Sequence, residues 1–331
     1  MRSTKLLLVL VLSALAAPLG WGQNGAATLV GENAVATDQE PQRAILVTGA
    51  SSGIGRVTAE LLASKGFYVY AGARKEKDLK ELSAIKNVEG IRLDVTKPDD
   101  IEGAVAKVKA GGRGLYGLIN NAGVVELAPL IEIPEEDLQY IMDVNVFGPY
   151  RVTKAFAPMI IESKGRISTT GSLSGYVVWG LGGPYCMTKH AVEAYSEALA
   201  AEMAQFGVKV SVVEPGNYKS KITTSMKKRL EAKGYSTEGS LYKGMLDRTL
   251  SSSLDRAQFK SPDEVADAFL HAMTADNPKL RYLVVPNQGE ANLTIRAAMN
   301  KVVQLNADHE YSYDRDDLVK MLDEALAASK N

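Results

Sequence analysis

Tyr185-Cys-Met-Thr-Lys189 sets a phenol and an ammonium four residues apart. On a helix one turn separates them, and both side chains share a face. A free phenol titrates near ~10 and is a poor acid or base at neutral pH, whereas a neighbouring ammonium favours the phenolate and brings that value down. A tyrosine tuned in this way can exchange a proton with a substrate oxygen. The same spacing arises wherever a helix carries a half-buried Tyr and an exposed Lys, so the pair takes its meaning from what else the chain holds.

Upstream, Ala44-Ile-Leu-Val-Thr-Gly-Ala-Ser-Ser-Gly-Ile-Gly55 joins a short apolar run to a glycine-rich turn and then to the helical pattern Val57, Leu61, Leu62. The run has the length and branching of a buried parallel strand. Gly49, Gly53 and Gly55 allow close backbone approach to a pyrophosphate, and the free amides and dipole of the helix beginning near Gly55 attract its charge. Ser51, Ser52 and Ile54 complete that cradle. The spacing Gly-x-x-x-Gly-x-Gly differs from the Gly-x-Gly-x-x-Gly dinucleotide fingerprint. The competing reading is a turn that only packs helix on strand.

Thr48 to Gly55, Asn120-Asn121-Ala122-Gly123, Asn145, Ser172, Tyr185, Lys189 and Pro215-Gly216 stand in order over residues 44–286. In these motifs the chain strongly resembles the single-domain branch of the short-chain dehydrogenase/reductase family. It looks most like the hydroxysteroid and retinol dehydrogenase type. The resemblance implies a nicotinamide cofactor and an alcohol/carbonyl reaction, which needs an acid/base group beside the cofactor. Tyr185 takes that place, and Lys189 would lower its pKa and bond the nicotinamide ribose. Ser172 would orient the substrate oxygen, and Asn145 would hold a water connecting Lys189 to solvent. Taken singly, Ser172 is also readable as a turn serine and Asn145 as a buried amide fixing a helix kink. Asp94 and Val95 match the family's adenine contacts, and Asn121, Ala122 and Gly123 the loop beneath the adenosine. After the second strand there is no acid to bond a ribose 2'-hydroxyl; Arg74 stands there and suits a 2'-phosphate, so NADP is expected rather than NAD. Tyr218 and Ser220 replace the valine and threonine that usually follow Pro-Gly on the nicotinamide side. The alternative to an enzyme is a catalytically idle, cofactor-binding redox sensor or structural partner.

These residues must be positioned by a scaffold, and the strand and helix patterns alternate from Ala44 onward. Strands are expected at Ala44–Val47, Tyr68–Ala71, Ile91–Val95, Leu118–Ile119, Gly165–Gly171, Val208–Val213 and Leu283–Val285. Their alternation with helices predicts an α/β fold: one Rossmann-type, doubly wound, seven-stranded parallel sheet with helices on both faces. The fifth strand has a single large apolar residue, yet it must deliver Ser172 to the carboxyl edge where such sheets bind ligands. The domain spans 44–290. Residues 217–260 read as a lid carrying Met226, Leu230, Tyr235, Leu241, Tyr242, Met245 and Leu246 over an apolar steroid, retinoid or lipid-like substrate, or equally as an amphipathic helix packed on the domain. A helical extension follows over 291–331, with Leu318, Met321, Leu322, Ala325 and Leu326 expected to pack.

The 331 residues, 46% of them hydrophobic, suffice for one large core. A formal charge of −1 leaves no electrostatic footprint for nucleic acid. One cysteine, Cys186, and three histidines give no disulfide framework or metal cluster. Arg2 and Lys5 precede the apolar stretch Leu6 to Leu19, so residues 1–22 read as a signal peptide or an uncleaved anchor. Residues 23–43 form a linker. The domain is then expected beyond a membrane, as a homodimer, touching that membrane only through an uncleaved N-terminus. Dimer contacts are expected from Phe156 and Tyr195, left exposed on two helices.

Overall fold

The computed structural model describes residues 42–251 and 256–328. The elements follow in the order β1 (Ala44–Val47), α1 (Gly53–Ser64), β2 (Tyr68–Ala73), α2 (Glu76–Ser83), β3 (Val88–Arg92), α3 (Pro98–Ala110) and β4 (Gly117–Asn120). After them come α4 (Glu135–Met142), a π turn at Asp143–Phe147, α5 (Gly148–Glu162), β5 (Arg166–Thr170), α6 (Gly183–Met203) and β6 (Lys209–Pro215). The chain closes with α7 (Ile222–Ala232), α8 (Lys243–Ser251), α9 (Asp263–Thr274), β7 (Arg281–Val284), α10 (Gln288–Leu305) and α11 (Arg315–Ala328). The seven strands are parallel in the order β3-β2-β1-β4-β5-β6-β7.

Every residue of β1 is buried, as a central parallel strand covered on both faces requires. One face of the sheet carries Leu46, Tyr70, Leu118, Val152, Phe156 and Ile167. The other carries Ile45, Val47, Leu62, Val69, Ile119, Phe269 and Met273. Local chemistry reinforces the helices: α3 starts on Pro98 with Asp99 and Asp100 in its first turn and ends with Lys107 and Lys109, complementing its dipole at both ends.

Four expectations need correction. The third strand ends at Arg92, because Leu93, Asp94 and Val95 leave the sheet to wall the cleft. Phe156 is fully buried between α5 and the sheet and offers nothing to a partner; Tyr195 is half-buried, and its hydroxyl donates to the Pro149 carbonyl at 3.4 Å. Phe147 and Tyr150 are the exposed aromatics beside that helix. The C-terminal extension is helical, but α11 has no buried residue and α10 only Thr294, and Met321 and Leu322, expected to pack, are each 42% exposed. The apolar N-terminal stretch and the linker up to residue 41 lie outside the described residues. Among those residues no helix is long and apolar enough to cross a membrane.

Candidate active site

The carboxyl ends of β1, β4, β5 and β6 open on one cleft of about 790 Å³. Its floor is the β1–α1 turn. Gly49 and Gly53 have φ of +66° and +58°, a conformation that L side chains rarely adopt. A Cβ on Gly55 would lie 2.3 Å from the Asn121 amide and 2.6 Å from the Gly49 carbonyl, so this glycine serves packing behind the turn. The Thr48 hydroxyl accepts from the backbone N–H of Asn121 and Ala122 at 2.9 and 3.0 Å. The Asn121 amide donates back to the Thr48 and Gly49 carbonyls at 3.0 and 3.2 Å. Two loops far apart in sequence are thus locked into one surface, with Ser51, Ser52, Gly53 and Ile54 on its wall beside Asn121, Ala122 and Gly123.

Arg74, Asp94 and Val95 line one end. Arg74 is exposed and only 3.8 Å from Asp94, whose other carboxylate oxygen accepts from the Thr96 N–H and hydroxyl at 3.0 and 2.8 Å. Arg74 therefore keeps a guanidinium fork open to the cleft. At the other end, β5 delivers Ser172, which caps a 3-10 turn by accepting from the Ser174 N–H at 3.1 Å. Helix α6 brings Tyr185 and Lys189 to the same wall. The Lys189 Nζ donates to the Thr170 carbonyl at 2.7 Å and lies 5.7 Å from the Tyr185 ring centroid.

The electrostatics differ from the expectation that Lys189 lowers the tyrosine. Burial raises the Tyr185 phenol above its usual value, and what opposes this is hydrogen bonding to Ser172 and the charge of Arg256. Lys189 is itself pushed down to about 8 by burial, with Glu193 opposing. One turn further along α6, Glu193 pairs with Arg281 at 3.0 Å, and burial beside Glu193 pushes Glu214 well above the carboxylate range.

Asn145 does not reach the cleft wall. It sits in the π turn; its Oδ1 accepts from the Val124 N–H at 2.8 Å, and its amide donates to the Val124 carbonyl and Thr188 Oγ1 at 2.9 and 3.0 Å. It ties the cleft loop to α6 beside the Tyr/Lys pair. Pro215, Gly216, Tyr218 and Ser220 line the cleft; the Tyr218 side chain is buried and donates its hydroxyl to Glu264 at 2.7 Å. Of the segment after β6, Ile222, Thr223, Ser225, Met226 and Arg229 line the cleft, and Met226 and Leu246 are buried. This segment is tied to the stretch before α4 and to α4 itself: Arg229 pairs with Glu126, Lys233 with Asp137, and the Leu241 N–H donates to Glu132 at 2.9 Å. Thr48, Glu193 and Arg256 were missed as site residues. Thr48 lay inside the motif, and Glu193 is at helical spacing from Lys189; Arg256 has no local signal.

A glycine-floored cleft at the strand-order switch of a doubly wound parallel sheet, with a Tyr/Lys pair at one end, defines a nucleotide-cofactor oxidoreductase site. The chain belongs to the short chain dehydrogenase family, whose profile matches residues 43–231. It is 34% identical over 265 residues to the mitochondrial D-beta-hydroxybutyrate dehydrogenase of Rattus norvegicus, covering 74% of this chain and 77% of the relative. It is also 34% identical over 250 residues to retinol dehydrogenase 7 of Mus musculus, covering 72% and 79%. Identity to the 17-beta-hydroxysteroid dehydrogenase type 6 of Homo sapiens is 34% over 253 residues, covering 72% and 79%. A solved short-chain dehydrogenase from Streptomyces avermitilis superposes with a TM-score of 0.67 at 29% identity, covering 81% of this chain and 96% of that one. The protein is an NAD(P)-dependent oxidoreductase acting on CH–OH groups.

Proposed function

We propose that this protein interconverts an alcohol and a ketone or aldehyde on an apolar substrate, using NADP. The observation that carries the reading is the meeting of Tyr185, Ser172 and Lys189 on a cleft whose opposite end is the glycine turn and Arg74. The cradle fits the cofactor, because side chains on Gly49 and Gly53 would need a strained backbone, and the open guanidinium of Arg74 suits a 2'-phosphate. When bound, the nicotinamide exchanges a hydride with the substrate carbon. Tyr185 gives a proton to, or takes one from, the substrate oxygen, and Ser172 holds that oxygen by hydrogen bonding. Lys189 spends one N–H on Thr170 and keeps two for ribose hydroxyls. Asn145 fixes the Val124 loop against Thr188 and so sets the position of α6.

Spectrophotometry of NADPH and NADH oxidation against a panel of neutral and acidic ketones and aldehydes tests the reading. Tyr185→Phe should abolish turnover and leave NADPH affinity nearly unchanged; activity above a few per cent of wild type would overturn the acid/base role. The relatives are named for a retinoid, a steroid and a hydroxy acid, so the substrate's polar character is decided by this chain's own lining.

The proposal extends to organisation. The catalytic unit is 44–290, with 217–260 as its lid. Phe147 and Tyr150, exposed beside the α4–α5 helix pair, together with Met187 on α6, support a homodimer through these helices. Sedimentation at micromolar concentration tests it. Export by the N-terminal segment is tested by protease protection in sealed vesicles or spheroplasts; full-length protein free in the cytosol would refute it.

A further inference from the structure

Arg256 lines the same cleft as Tyr185 and Ser172. Its Nη2 donates to the Asn217 side-chain oxygen at 2.8 Å, and its guanidinium sits 5.3 Å from the centroid of the Phe259 ring. Asn217 is itself held by Glu290, which accepts its backbone N–H at 2.9 Å and its amide at 3.2 Å. The guanidinium is therefore fixed by an amide that is fixed in turn. Its Nε is buried and without a hydrogen-bond partner. No carboxylate of the described residues pairs with it, whereas Arg229 in the same wall is paired to Glu126. A half-buried cation with a buried, unused donor is costly until an anion meets it, and the guanidinium fork matches a carboxylate in particular. Its charge also lowers the Tyr185 phenol, which requires that the two groups lie near one another. The same cleft is lined by apolar residues, among them Val125, Leu127, Val177, Trp179, Met226 and Leu293.

We propose that Arg256 is the carboxylate anchor of the substrate site, and that the substrate is a hydroxy acid or its keto acid with an apolar body. The inference rests on the oxidoreductase reading above and names its substrate class. An acid bound in this way places its carboxylate on Arg256 and its hydroxyl-bearing carbon toward Tyr185 and Ser172. The apolar lining accommodates the rest of its chain. A neutral steroid or retinol offers at most a hydroxyl or carbonyl oxygen as acceptor, and its binding would leave the positive charge without a counter-charge. The phosphates of the cofactor offer the other source of negative charge, which the experiment separates.

The test uses 3-hydroxyoctanoate and 7-hydroxyoctanoate, each with its methyl ester, on the full chain with NADP. The wild type should prefer an acid over its ester. Arg256→Gln should lower kcat/KM for the acid by roughly 100-fold, the cost of removing one partner of a buried charge pair. The ester should lose far less, only what the missing charge does to the Tyr185 phenol, and Arg256→Lys should recover part of the loss, as a point charge without the fork. NADPH affinity, read by fluorescence titration, should stay unchanged. Calorimetric titration of each hydroxy acid into the protein–NADPH complex, where both partners are already reduced, gives a reading without turnover: the heat of binding should disappear in Arg256→Gln. If no compound is turned over but acid binding still depends on Arg256, the oxidoreductase reading fails and the anchor stands. Equal losses for acid and ester, acid binding indifferent to the substitution, or a weakened NADPH affinity would each overturn the proposal; the last would assign the guanidinium to the cofactor's phosphates.

Discussion

Replacing Lys189 with methionine should make the cofactor-free protein more stable at neutral pH while removing its activity. Lys189 is buried, and burial pushes it from 10.5 down to about 8. Below pH 8 both the folded and the unfolded chain carry the charge, and the folded chain bears the whole desolvation cost. A depression of this size corresponds to ~3 kcal/mol. Between the folded value near 8 and the unfolded value of 10.5 the unfolded chain binds more protons, so wild-type stability rises with pH through that window and the cost vanishes above it. Methionine is of similar length and carries no charge, but it forfeits the 2.7 Å bond to the Thr170 carbonyl, worth about 1 kcal/mol. The net gain below pH 8 is then about 2 kcal/mol, or roughly 5 °C in Tm for a domain of this size. Differential scanning calorimetry of both proteins from pH 7 to pH 10.5, without cofactor because a bound ligand would add its own stabilisation, measures the gap. It should shrink steadily as pH rises and reverse at the top of the range. A methionine variant that melts below wild type at pH 7, or a gap indifferent to pH, would refute the desolvation argument.

Glu193→Gln removes the charge that holds Lys189 up, so the limb of the pH–rate profile that reports Lys189 should move to lower pH, with kcat changing more than KM; an unmoved profile would leave Glu193 with only its Arg281 contact. Arg74→Glu should weaken NADPH by roughly 100-fold, as expected for losing a hydrogen bond to a charged group and gaining repulsion, and leave NADH within a few-fold by fluorescence titration; an equal loss for both would make Arg74 structural. Gly55→Ala forces a Cβ against the Asn121 amide and the Gly49 carbonyl, so thermal unfolding should show a loss of about 2 kcal/mol together with weaker cofactor binding.

Much of the fold is legible in the chain because it rests on short-range rules. The Thr48–Gly55 turn declares itself by spacing alone: positive φ and close backbone contact are demanded within eight residues. Tyr185 and Lys189 share a face because α6 is continuous from Gly183 to Met203. The Arg74 position follows from counting past a strand that is apolar throughout. Each of these needs only the period of a helix or strand and the identity of a few neighbours.

Packing decided the remainder. Strand β5 holds its place with Ile167 as its one large apolar residue, because β4 and β6 pair with it on both sides and supply the ladder its own hydrophobicity would not secure. Phe156 belongs to the core and α11 buries none of its residues, although both carry similar apolar spacing; spacing defines a face but not what lies opposite it. Tyr185 is held above its usual pKa despite its lysine, because desolvation is a property of the filled volume around a group and not of its neighbours along a helix. Arg256 enters the story only in three dimensions. It stands 71 residues beyond Tyr185 in a chain whose sequence shows another surface-type arginine, and it becomes part of the site only because the fold brings it to the cleft that Tyr185 lines.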